Sequence, residues 1–226
     1  MPLGLTIYLL TILIGFIACG AVFFIEQDKV NRFSHRLLLL MMLIVLLFEI
    51  YASILVYGNG KTNVLIYNIF FVYIETIWLV AYIYLFMTQK IKRVLLIGLA
   101  GFCILAIVNT LFFQDIFSAF HNISFAYAVL FILICCILFF YEIFRLKRYQ
   151  NINLLSAPEF WVITGVFFFY SSGFVYFIPI GLYQNMDQQL LSLLANINRI
   201  LAGMMYLVFG FAYFAPFVFN KEVKIR

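Results

Sequence analysis

Charged side chains are scarce in this chain. Only 10% of its 226 residues are Asp, Glu, Lys or Arg, whereas 67% are hydrophobic and 20% are aromatic. Soluble domains carry about 25% charged and about 45–50% apolar residues, so this composition excludes an ordinary soluble domain and indicates a chain that lies in lipid. The net charge of +5 does not indicate nucleic-acid binding, because the basic residues form short clusters between apolar runs. Such clusters are typical of membrane topology signals.

Histidine and cysteine are also few, with two and four copies. Neither His35 nor His121 lies inside an apolar run, so the chain lacks the intramembrane base or ligands of a serine or metal hydrolase. The cysteines lie inside apolar runs without the spacing of a metal site or a disulfide framework. The last apolar run has no lysine before Lys221, which excludes a retinal Schiff base there. We therefore expect no metal, no cofactor and no enzymatic activity.

Seven apolar stretches are long enough to span a bilayer, which takes about 20 residues each. No Lys or Arg precedes the first stretch, so we expect it to remain as a helix rather than to be removed as a signal peptide. The sequence predicts a single all-α membrane domain over residues 1–226, a bundle of seven transmembrane helices. The predicted helices cover residues 3–25, 37–57, 64–87, 94–113, 123–144, 160–183 and 190–219.

The distribution of basic residues predicts the orientation of this bundle. Cytoplasmic loops of membrane proteins carry an excess of Lys and Arg. One set of connections and the C-terminal tail hold Lys29, Arg32, Arg36, Lys90, Lys92, Arg93, Arg145, Lys147, Arg148, Lys221, Lys224 and Arg226. The alternate connections hold only Lys61. The N-terminus is therefore predicted to lie outside and the C-terminus in the cytoplasm.

Three charged residues lie within the predicted membrane spans. They are Glu49 in the second, Glu75 in the third and Arg199 in the seventh. At a rise of 1.5 Å per residue, each lies roughly 12–16 Å below the outer end of its helix, so all three can occupy one layer. Charged side chains inside a membrane are costly and usually face protein, water or a partner.

Neutral polar residues extend this predicted layer. Asn68 precedes Glu75 by seven residues, and Asn196 precedes Arg199 by three, so each pair is expected to share a helix face. Ser172, in the sixth span, can join the same layer. We therefore select Glu75, Asn68, Glu49, Arg199, Asn196 and Ser172 as candidate ligand-binding residues.

Two interpretations of this layer remain open at the level of sequence. In the first, it is a polar pocket open to the outer side, in which Arg199 anchors an anion and the two glutamates are its partners. In the second, a buried ion pair and a neutral carboxylic acid hold three helices in register, or Arg199 extends to the membrane surface.

Several short motifs resemble those of an uncharacterised bacterial family of short seven-helix membrane proteins. The similar segments are residues 66–70 (IYNIF) leading to Glu75, residues 139–142 (FFYE), Phe160-Trp161, residues 170–173 (YSSG), and Asn196 with Asn198. The resemblance implies the same architecture, in a bacterial inner membrane, and includes Asn68 and Glu75 in the shared motif. It implies no activity.

The short connections leave no room for an output domain, because units below about 40 residues rarely fold alone. We therefore expect a receptor-like or accessory subunit that binds a small ligand or ion and acts through a separate membrane partner. The alternatives are a small secondary transporter coupled to protons or cations, and a structural membrane scaffold. Apart from the lipid bilayer, the sequence identifies no partner.

Overall fold

A computed structural model of the protein describes residues 3–25, 31–145, 153–180 and 188–219. Within these ranges the chain forms helices and turns, and no strand. The α-helices are α1 Leu3–Ala21, α2 Arg32–Ser53, α3 Val64–Ile66, α4 Glu75–Leu85, α5 Gln89–Phe112, α6 Asn122–Arg145, α7 Pro158–Ile180, α8 Gln188–Ala212 and α9 Ala215–Phe219. A π-helical segment, Tyr67–Ile74, joins α3 to α4, and a second one, Ile54–Gly58, extends α2.

Six helical segments of the described chain are long and apolar enough to cross a membrane. They are Gly4–Phe24, Arg32–Gly58, Val64–Leu85, Gln89–Phe112, Asn122–Arg145 and Ser192–Ala212. Each overlaps one predicted span, so the protein is an all-helical, multi-pass membrane protein. The remaining predicted span, 160–183, overlaps α7 up to residue 180, and its last three residues lie outside the described ranges.

Helices α2 and α5 each begin five residues before their predicted spans, at Arg32 and Gln89 rather than at residues 37 and 94. Helix α2 begins at Arg32 rather than at residue 37, because the Asn31 side chain accepts hydrogen bonds from the amides of Phe33 and Ser34 at 3.1 and 3.3 Å. Capping of this kind satisfies amide groups that a helix leaves free in its first turn. Polar first turns therefore belong to these helices even though a search for apolar runs leaves them out.

The predicted span 190–219 is interrupted. Helix α8 ends at Ala212, and the short helix α9 begins at Ala215. Pro216 accounts for the break, because proline has no amide hydrogen and its ring collides with the carbonyl four residues earlier in a continuous helix. The prediction of one helix up to residue 219 is therefore wrong, although both pieces lie where it placed helix.

Six of the long helices form a closed ring, and α5 lies outside it. Around the ring, α1 packs against α2, α2 against α4, α4 against α6, α6 against α7, α7 against α8, and α8 against α1. Helix α5 packs against α4 and α6. Large side chains fill the middle of the ring, among them Tyr82, Tyr170, Phe209 and Tyr213, each less than 2% exposed.

Glycines bring α1 and α8 into close contact. A Cβ atom on Gly15 would collide with the carbonyl oxygen of Tyr206, and one on Gly210 would collide with that of Gly15. Only residues without a side chain allow two helix backbones to approach so closely. This contact fixes the position of α8, the helix that carries Arg199 and Tyr206.

Candidate functional site

A partly open cavity of about 290 Å³ lies between α1, α2, α8 and the π-helical segment. It is near the end of the bundle that holds the connections 59–63 and 113–121, which we call the predicted outer end. Its walls include the aromatic rings of Phe71, Phe120 and Phe169. Its polar lining consists of Tyr8, Glu49, Asn63, Tyr67, Asn198, Arg199 and Tyr206. We call this space the outer cavity.

The carboxylate of Glu49 is held by two tyrosines of neighbouring segments. Tyr8 of α1 donates to Oε1 at 3.1 Å, and Tyr67 of the π-helical segment donates to Oε2 at 3.0 Å. Hydrogen bonds to a charged oxygen are among the stronger ones in proteins. These two bonds fix the orientation of Glu49 in the wall of the outer cavity.

Arg199 lines the same cavity from α8. Its guanidinium donates to Oδ1 of Asn196 at 3.3 Å, one turn earlier in the helix. It makes no direct ion pair with Glu49, although its charge is near enough to act on that carboxyl group. The cavity thus presents a cation and a carboxyl group to one space without joining them, so both can contact a bound molecule.

Glu75 lies deeper in the bundle and is only 1% exposed. Its Oε1 accepts a hydrogen bond from the hydroxyl of Tyr206 at 3.2 Å. A void of about 10 Å³ is lined by Glu75, Glu49, Tyr67 and Tyr206. Glu49, Tyr67 and Tyr206 also line the outer cavity, so the void and the cavity share these three residues.

Asn68 does not belong to this cavity. Its Nδ2 donates to the carbonyls of Ile116 and Ala119 at 3.0 and 2.8 Å, and its Oδ1 accepts from the amide of His121 at 3.0 Å. Its side chain therefore fastens the connection between α5 and α6. The prediction that Asn68 and Glu75 share a helix face is wrong. The π-helical segment between them has i→i+5 hydrogen bonds, which put more residues into each turn, so a spacing of seven no longer returns to the same face.

The remaining candidates are partly separated from the cavity. Asn196 is exposed at the surface of α8 and reaches the cavity only through its bond to Arg199. The hydroxyl of Ser172 donates to the carbonyls of Phe168 and Phe169 at 3.1 and 2.8 Å within α7. Ser172 is thus bonded to its own helix backbone, as serine often is inside helices. The structure places Glu49 and Arg199 on one cavity and Glu75 on a void that Glu49 also lines, and it leaves Asn68, Asn196 and Ser172 out of the cavity lining.

Besides the outer cavity, the predicted outer end contains a second set of hydrogen-bonded polar residues around His121. It is fully buried, its Nδ1 is hydrogen-bonded to the hydroxyl of Tyr73, and its Nε2 has no partner among the described residues. Burial lowers the pKa of His121 from its ordinary 6.5, while contacts with the backbone of Gln114 and the charge of Asp115 act in the opposite direction. Asp115 itself is exposed, and the hydroxyl of Ser118 lowers its pKa by donating to it at 2.7 Å.

Sequence reasoning missed three cavity residues of importance. Tyr8 and Tyr206 hold the two carboxyl groups, and Asn198 lines the cavity. The aromatic content of 20% conceals such tyrosines, because most of the 44 Tyr and Phe residues only pack in the core or face lipid. A signal was nevertheless present in α8, where Tyr206 follows Arg199 by seven residues and so shares its helix face.

Comparison with protein-family models, with curated proteins and with solved structures finds no match to this chain. Within the described ranges, no group of three His, Cys, Asp or Glu side chains is placed to hold a metal ion.

Proposed function

We propose that this chain is a receptor-like or accessory membrane subunit that binds a small polar ligand in the outer cavity and acts through a separate membrane partner. In this proposal it crosses a bacterial inner membrane seven times, with α7 as the sixth crossing, the N-terminus outside and the C-terminus in the cytoplasm. The basic residues on alternate connections support that orientation.

One observation carries the proposal: Arg199 and Glu49 line a single cavity without pairing with each other. A guanidinium binds carboxylate or phosphate oxygens well, and a fixed carboxyl group accepts hydrogen bonds from ammonium or hydroxyl groups. Aromatic walls cover the apolar part of a ligand. Small-molecule sites are usually of this kind, mostly apolar with a few placed polar groups. A small zwitterion fits this chemistry.

The test is the thermal stability of the detergent-purified protein with amino acids and other small zwitterions as probes. A ligand that binds only the folded state raises the melting temperature with concentration. We expect at least one probe to do so in the wild type and to lose its effect in Arg199→Gln. Arg93→Gln, which changes an exposed arginine of α5 near the opposite end of the bundle, is the matched control.

The proposal fails if no probe shifts the melting temperature and the purified protein also brings no membrane protein with it. Flux of a probe or of protons across proteoliposomes, abolished by Glu75→Gln, would instead favour the secondary transporter.

A further inference from the structure

The carboxyl group of Glu75 is buried without a cation beside it. Among described side chains, it accepts a hydrogen bond from Tyr206 alone. An ionised carboxylate removed from water is costly unless it is paired and well hydrogen-bonded. One neutral hydroxyl does not provide that compensation, so the geometry favours the protonated acid.

The titratable groups around Glu75 add no positive charge. Four described titratable residues on neighbouring helices interact electrostatically with Glu75. They are Glu49 of α2, Tyr206 of α8, Tyr170 of α7 and Tyr8 of α1. Cys136 of α6 is the next group beyond Tyr170. All of these are neutral or negative at neutral pH. Arg199 acts on Glu49, on the cavity side of the void.

A path for exchange connects Glu75 with the outer cavity. The void that both glutamates line measures about 10 Å³, which is close to the minimum of roughly 10–15 Å³ that one water molecule requires. Its polar partners are sufficient for a water, because Glu49, Glu75, Tyr67 and Tyr206 all line it. Glu49 continues the path, since this residue lines both the void and the outer cavity.

We propose that Glu75 is a proton-binding site that exchanges its proton with the outer cavity through one water molecule and Glu49. In this step the O–H bond of the Glu75 acid breaks and its proton passes to the water. The water in turn gives one of its own protons to the carboxylate of Glu49, so charge and atoms balance and no redox change occurs. The ionised Glu75 keeps its hydrogen bond from Tyr206. The step rests on the proposed function only in requiring water in the outer cavity.

Infrared spectroscopy of the purified protein tests this site without any ligand, so its outcome is separate from that of the zwitterion assay. A protonated carboxylic acid has a carbonyl stretching band distinct from that of a carboxylate. We expect the wild type to show this band at neutral pH, Glu75→Gln to lose it, and Asp115→Asn, which changes an exposed carboxylate, to retain it. If Glu75→Gln does not fold, Glu75→Asp is used, and the band should change position.

Exchange into D₂O tests the path. In the wild type the band should shift promptly on transfer to D₂O, because deuterons reach Glu75 through the void. Ala52→Val adds two methyl groups to a residue that lines the void, and should slow that shift at least tenfold. The proposal is overturned if the wild type has no acid band assignable to Glu75. It is also overturned if the band persists unshifted in D₂O, or if Ala52→Val exchanges as fast as the wild type.

Discussion

Tyr8, Glu49 and Tyr67 belong to three different helical segments, and two hydrogen bonds join them around one carboxyl group. The intramembrane charges Glu49, Glu75 and Arg199 could be identified from sequence because charge is rare in a lipid environment. Their partners Tyr8 and Tyr206 were missed. The spacing of Tyr206 and Arg199 indicates a shared helix face, but it does not indicate a hydrogen bond to a carboxyl group on another helix.

His121 makes a testable contribution to stability at the residue scale. The unfolded chain binds a proton on this histidine near pH 6.5, whereas burial lowers its pKa in the folded protein. Between the two pKa values the unfolded state holds more protons, so stability falls as pH decreases below about 6.5. Each unit of difference between the two pKa values is worth about 1.4 kcal/mol.

The measurement is the melting temperature of the detergent-purified protein from about pH 7.5 to about pH 5, where this loss develops. His121→Asn cannot gain a proton and should reduce the loss on the acid side, while a control that leaves His121 in place, Lys61→Gln, should follow the wild type. If the wild type and His121→Asn lose stability in parallel, His121 is not the group responsible.

At the scale of the element, the sequence predicted which helices form better than it predicted where each helix begins and ends. All the long helices lie where apolar runs predict them, but α2 begins at a polar cap and α8 ends before Pro216. The π-helical segment was not predictable, since its sequence is as apolar as the helix around it. It nevertheless decides which residues reach the site, because it turns Asn68 toward residues 116–121 and leaves Glu75 facing Tyr206.

A second prediction concerns the α1–α8 contact, which can be tested by substituting two glycines of α1, one inside the contact and one outside it. Gly15→Ala places a methyl group against the backbone carbonyl of Tyr206, which cannot move aside as the flexible Met42 side chain beside it can. Overpacking of this kind costs roughly 1–3 kcal/mol. In Gly20→Ala the nearest atom is Cδ1 of Leu39 at 3.9 Å, an ordinary contact, and the change should be neutral or stabilise by up to about 1 kcal/mol.

Thermal unfolding of the two variants in the same detergent measures the difference. Equal melting temperatures would show that α1 and α8 do not approach each other as described.

At the scale of the whole molecule, composition alone predicted a helical membrane protein. The order of the helices around the ring could not be predicted from composition. Apolar runs carry no information on which helix lies beside which, because lipid and helix surfaces are equally apolar. The peripheral position of α5 illustrates this, since its sequence resembles that of the ring helices.

Cysteine labelling tests the proposed orientation. In a Cys103→Ser background, which removes the exposed native cysteine, a membrane-impermeant thiol reagent added outside intact cells should modify Lys61→Cys and the cavity variant Ala195→Cys. Lys90→Cys should react only after the cells are opened. Ala100→Cys, on an exposed face in the middle of α5, should react in neither case, because its thiol lies in lipid. Labelling of Lys90→Cys from outside would reverse the topology.

The glycine contact between α1 and α8 also has a consequence for biogenesis. Among the described long helices, α1 is synthesised first and α8 last, yet these two lie closest together and close the ring. Until α8 is synthesised and inserted, the glycine face of α1 has no contact with α8, and neither Arg199 nor Tyr206 is in place. The outer cavity and the environment of Glu75 are therefore completed only when α8 is inserted.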